Sequence, residues 1–156
     1  MRGWLLATLL GAFGAALLEP GDVAGQTPFL LVPTQPLDFG RLAPGVPARV
    51  ASTDVVRRGE VRLQGEGTTS VVFTLPDHLA GPGGARVPLV FAADDGLWQI
   101  RNRQVRFDPA QPFTIRLNPN ADEARIFLGG TALPAPGQPA GRYTATVTVM
   151  TVQTGT

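Results

Sequence analysis

The chain has one histidine, His78, in Pro76-Asp77-His78-Leu79. A catalytic triad needs a nucleophile, a base and an orienting group in mutual contact. Asp77 is next to His78, but neighbours on an extended chain point to opposite faces. Structural zinc needs several His or Cys ligands, and cysteine is absent. Asn118, Asn120, Asp122 and Glu123 gather side-chain oxygens in one loop. Calcium loops usually carry more carboxylates and a hinge glycine, and an Asn-Pro turn accounts for the same residues. Glu60, Glu66, Asp94 and Asp95 stand beside turns or on exposed strand faces. Nothing in their spacing pairs two of them for sugar hydrolysis, which requires a separation in space. Gly81-Pro82-Gly83-Gly84 lacks the lysine and the strand-loop-helix setting of a phosphate cradle. No catalytic, cofactor-binding or metal-binding residue is therefore assigned, and the chain is expected not to be an enzyme.

Two sets of side chains could bind rather than react. Trp98 and Tyr143 are the large amphipathic rings beyond the N-terminal segment. Both fall on the apolar side of an alternating strand, where core packing is expected. Arg57, Arg58 and Arg62 form one basic patch and Arg101, Arg103 and Arg106 another. Arg101 and Arg103 share a face if their strand stays regular. An anionic surface polysaccharide would suit such patches; solvated surface charge is the alternative. All 13 basic residues are arginine, and against 12 acidic residues they leave a net charge of +1. With no long basic block, nucleic acid is not an expected partner.

The elements that must position these residues begin with a targeting segment. Met1-Arg2 is followed by an uncharged apolar run from Trp4 to Leu18, then Glu19-Pro20-Gly21-Asp22 and the small residues Val23-Ala24-Gly25. This is the layout of a secretory signal helix spanning 1–25, cleaved after Gly25. The run is short for a membrane span. The chain is expected to be exported, to the periplasm, cell surface or medium, with no transmembrane anchor once the leader is gone. Residues 26–36 form an N-terminal arm with an apolar stretch between Pro28 and Pro33, suited to pairing with a neighbour's open sheet edge.

Residues 37–153 read as a single β-domain. Period-two alternation marks strands at Ala48–Val50, Glu60–Gln64, Ser70–Leu75, Arg86–Phe91, Trp98–Arg101, Val105–Asp108, Phe113–Leu117, Ala124–Leu128 and Gly141–Val152. Pro88 demotes its run to an edge strand or a bulge. Turn signals recur at Ala43–Pro47, Gly65–Gly67, Asp94–Gly96 and Asn118–Asp122. No helical periodicity appears after the leader. With no cysteine to form a disulfide, the core alone must hold the fold. Many short strands with frequent turns predict an antiparallel Greek-key, immunoglobulin-like β-sandwich. In the closing strand, Tyr143, Ala145, Val147 and Val149 should face inward and the threonines outward.

Several of these stretches carry a resemblance. They are Leu37-Asp38-Phe39-Gly40 with Ala43-Pro44-Gly45, Gly59 with Val61–Leu63, Gly129-Gly130-Thr131-Ala132-Leu133, and Pro139-Ala140-Gly141-Arg142-Tyr143-Thr144-Ala145 before a Val/Thr-rich end. Together they resemble an exported bacterial domain-of-unknown-function family, number 4402, whose pattern is that of pilus and spore-coat subunits. The resemblance implies an immunoglobulin-type sandwich with a structural or adhesion-type role at the cell surface and no catalytic residues. The chain departs from the pilus pattern in lacking a cysteine pair and a closing aromatic. Partners would be other proteins, or further copies through a sheet edge. The other expectation is an extracellular carbohydrate- or ligand-binding sandwich, which requires an exposed aromatic platform.

Overall fold

The computed structural model describes residues 2–5, 28–119 and 123–153. Beyond Arg2–Leu5, the segment read as a signal helix lies outside the described residues. The fold is all-β and sandwich-like, with strands β1 (Arg2–Leu5), β2 (Leu30–Gln35), β3 (Asp38–Arg41), β4 (Ala48–Val50), β5 (Gly59–Gln64), β6 (Gly67–Thr74), β7 (His78–Ala80) and β8 (Arg86–Val90). They are followed by β9 (Gly96–Ile100), β10 (Arg103–Phe107), β11 (Phe113–Leu117), β12 (Glu123–Leu128), β13 (Gly130–Ala132), β14 (Arg142–Ala145) and β15 (Thr148–Gln153).

These strands form a seven-stranded sheet, β3-β1-β14-β7-β8-β13-β4, a five-stranded sheet, β10-β9-β12-β5-β2, and a three-stranded sheet, β11-β6-β15. All pairings are antiparallel except β1 with β14, which is parallel. Two chain stretches change sheets. Residues 123–132 break at Gly129, so β12 pairs with β5 and β9 while β13 pairs with β4 and β8. Residues 142–153 break after Ala145, so β14 pairs with β7 and β15 with β6.

The alternation read from the sequence is what builds the core. Val61 and Leu63, Val71 and Phe73, Ile115 and Leu117, and Val147 and Val149 all point inward and are buried. The rings of Phe73, Phe107 and Phe113 stack with centroids 5.9, 6.3 and 3.8 Å apart, tying β6, β10 and β11 together. In the closing stretch Tyr143, Val147 and Val149 are buried and Ala145 half-buried, while Thr146 is exposed.

Three expectations need correction. The arm folds on its own chain rather than reaching for a neighbour: Leu30–Gln35 pairs with β5, and Phe29 lies against Gly65, where an added Cβ would meet its ring at 2.7 Å. Strand β8 is interior despite Pro88, with β7 on one side and β13 on the other. The proline is tolerated because β13 ends at Ala132, opposite Leu89. Pro88 thus falls just beyond the ladder, where its carbonyl accepts from the Leu133 amide at 2.9 Å and only one terminal N–H is lost. Finally, Arg101 and Arg103 do not share a strand face. Ile100 pairs with Arg103, so Arg101 and Asn102 are the two-residue turn of the β9–β10 hairpin.

Arg101 sits at φ 51°, in the left-handed region. Tight hairpins favour glycine or asparagine there, because a Cβ crowds the following carbonyl. Arg101→Gly should therefore raise stability by about 0.5–1 kcal/mol, the relief of strain exceeding the added freedom of the unfolded chain. Urea unfolding of the two proteins measures it.

Candidate functional site

The residues singled out for chemistry do not converge. Among the described residues there is no group of three or more His, Asp or Glu able to hold a metal ion. Asp77 does reach His78, contrary to the expectation of opposed side chains. Its position is a bend rather than a strand, so its carboxylate curls onto the imidazole Nδ1. The pair faces solvent: the Asp77 side chain is almost wholly exposed. The hydrogen bond from His78, reinforced by its charge, holds the Asp77 carboxyl below the usual carboxylate range. Such a group adds stability above its unfolded pKa and loses it as pH falls through the lower folded value. In His78→Ala the Asp77 carboxyl should titrate higher, nearer an ordinary aspartate. An NMR titration of the Asp77 carboxyl carbon reads the shift.

The loop considered for calcium is described only at its ends, since residues 120–122 lie outside the described residues. Glu123 is engaged elsewhere, accepting from Gln64 Nε2 at 2.9 Å and lying 3.6 Å from both Arg62 and Arg125. The first basic patch is likewise matched by acids: Arg57 pairs with Asp54 at 2.9 Å, Arg58 with Glu60 at 3.8 Å and Arg62 with Glu123. Arg58 also lies over the Phe127 ring at 3.5 Å, and burial lowers its pKa. In the second patch Arg103 lies 5.6 Å over Trp98 and Arg106 donates to the Asp94 carbonyl at 3.2 Å.

Both amphipathic rings are in the core. Trp98 is 9% exposed and Tyr143 0%, so neither forms a platform for a sugar. The Tyr143 hydroxyl donates to the Pro139 carbonyl at 2.7 Å and accepts from Gln138 Nε2 at 2.8 Å. Gln138 Oε1 in turn accepts from the Ala135 amide at 3.2 Å. This network pins the Pro/Gly-rich stretch to the start of β14. Sequence reading assigned Tyr143 to the core but missed the network. Its signal was a buried tyrosine four residues after a turn proline.

Asp95, which its Asp-Asp-Gly turn reads as a surface charge, is in fact 1% exposed. Its Oδ2 accepts from the Ala92 amide at 2.8 Å, its Oδ1 lies 3.2 Å from Arg49 Nη2, and its carbonyl accepts from the Gly129 amide at 2.8 Å. These contacts build a turn and hold β13 beside it.

The concavities are equally plain. A depression of about 680 Å³ between residues 82–86 and 135–140 is walled by Pro, Gly and Ala, with Arg86 and Gln138 as its polar side chains. A narrow cleft of about 20 Å³ lies among Leu37, Val61, Phe73, Leu128, Val147 and Val149; at most about one water fits such a volume.

The strand edges among the described residues are the remaining candidates for interaction. A sheet edge offers rows of N–H and C=O groups to another strand unless charge, proline or cover protects it. Edge strands β10, β11 and β4 carry arginines, and β2 carries Pro33. Edge strand β15, TVMTVQ, has neither charge nor proline and exposes Met150 (47%) and Val152 (53%). No family model and no curated protein matches the chain.

Proposed function

We propose that this is an exported, non-catalytic structural or adhesion-type protein of the bacterial cell surface that assembles through sheet edges. The observation that carries it is β15, which lies at the end of its sheet among the described strands and holds neither charge nor proline over Thr148–Gln153. The leader-like segment 1–25 and the resemblance of the closing motif to family 4402 support the same reading. The Tyr143–Pro139 hydrogen bond also supports a Greek-key, immunoglobulin-like topology, because a tyrosine bonding back across a corner recurs in such sandwiches. Subcellular fractionation with cross-linking tests the proposal. The chain should be recovered outside the cytoplasm, beginning at Gln26, in contact with other copies or other surface proteins. Recovery as an isolated cytoplasmic monomer would refute it.

A further inference from the structure

The five-stranded sheet regroups the arginines on its outer face. Residues paired across neighbouring strands point to the same side of a sheet. The register therefore sets Gln104, Gln99, Arg125, Arg62 and Val32 in one row across β10, β9, β12, β5 and β2. Their chain neighbours Trp98, Ile126 and Val61 are buried in the core, so the row faces away from it. Four strand spacings make the row about 19 Å long. Gln104 and Arg125 are exposed, and Gln99, Arg62 and Val32 are half-buried.

Arg62 and Arg125 stand directly opposite each other, and like charges so placed repel. One carboxylate serves both. Glu123 Oε1 lies 3.6 Å from each Nε, longer than a hydrogen bond, while Glu123 Oε2 accepts from Gln64. Arg62 Nε is buried without a hydrogen-bond partner. Arg58 lies on the same side, over the ring of Phe127 and 3.8 Å from Glu60. Burial chiefly, and Arg125 in addition, lower its pKa. Positive charge is thus gathered here with too few close acceptors. Beside it, Gln104 Nε2 donates to Gln99 Oε1 at 3.2 Å and Gln99 Nε2 to the Arg101 carbonyl at 2.8 Å, which holds the two amides in line.

We propose that this row binds an extended, carboxylated polysaccharide. A sugar carboxylate bridges Arg62 and Arg125, whose planar forks match its two oxygens. Hydroxyls of the adjoining sugars exchange hydrogen bonds with Gln99 and Gln104. A small ligand would want a concavity, and this row is open and flat, so a polymer lying across the strands suits it better. A protein partner would want an aromatic or apolar anchor at the centre, and a single-stranded nucleic acid would want exposed rings to stack on. The centre of this row is Arg125. The site occupies a face, so binding does not compete with assembly through edges. That the chain meets such a polymer in the cell rests on the export proposed above; the binding itself does not.

The test titrates the full chain with polygalacturonate in a calorimeter at about 50 mM salt, where exposed charges are weakly screened. Binding should saturate. It should weaken at least about tenfold in Arg125→Gln, and as much when the polymer is fully methyl-esterified. The esterified polymer needs no variant, so this arm stands whether or not a variant folds. Arg116→Gln removes the same charge from β11, in another sheet, and should bind within about twofold of the parent. Equal losses in Arg116→Gln and Arg125→Gln would reduce the effect to net charge and overturn the proposal. Equal binding of the esterified polymer would overturn it too, as would binding to vesicles of anionic phospholipid with none to polygalacturonate. Fractionation of cells is separate from this: a cytoplasmic chain would refute export and leave the measured affinity standing.

Discussion

Gly129→Ala is expected to cost about 3 kcal/mol or more, the upper end of what overpacking does. A Cβ at this position would stand 2.4 Å from the Val50 carbonyl oxygen, 2.7 Å from the Ser52 nitrogen and 3.0 Å from the Ala51 carbonyl carbon. All three are backbone atoms, so no side chain can swing aside. The backbone itself is fixed, because Gly130 pairs with Val50 and the Gly129 amide bonds to Asp95. Relief would require separating β13 from β4 at the point where 123–132 passes between sheets. Gly137→Ala is the control. A Cβ there meets nothing within 4 Å, and its effect should stay within about 0.5 kcal/mol. Denaturant unfolding followed by circular dichroism compares the two, and equal losses would show that residues 50–52 yield.

Tyr143→Phe should cost about 2 kcal/mol although it removes a single oxygen. The hydroxyl is both donor and acceptor in a buried corner. Without it, the Gln138 amide and the Pro139 carbonyl lose a partner together, and an unsatisfied buried polar group costs about 1–3 kcal/mol. Gln138→Ala should be partly redundant with it, so the double variant should lose about 1 kcal/mol less than the sum. Additivity would mean that the two side chains act independently. Gly81 belongs to the same corner: an added Cβ would come within 2.2 Å of the Tyr143 ring, which explains a glycine directly after β7.

Much of the sandwich was legible because a half-buried strand writes its orientation in every second residue. Val61 and Leu63, or Val147 and Val149, need no partner in view to reveal their inward face. What periodicity cannot carry is which strand lies next to which. Pro88 was a sound reason to expect an edge, and only the end of β13 at Ala132 shows why an interior strand accepts it. The arm was legible as apolar, but its partner, β5, is far along the chain. The buried role of Asp95 escaped notice for a similar reason: an Asp-Asp-Gly turn looks the same whether its carboxylate meets water or the Ala92 amide and Arg49. His78 with Asp77 shows the reverse, since a bend of one residue undid an argument that assumed an extended chain.

Trp98 lies in the core beneath Arg103, and the chain's other tryptophan, Trp4, is in the segment 1–25 that we propose is a removable leader. On the proposed cleavage after Gly25, all indole fluorescence would come from one ring at one depth. Its emission should be blue-shifted in the native protein and move to the red when β9 separates from β10 and β12. The proposed cleavage would itself be visible as the loss of one of two emitters. The chain thus carries its own optical probe of unfolding, and of the proposed processing, with no label attached.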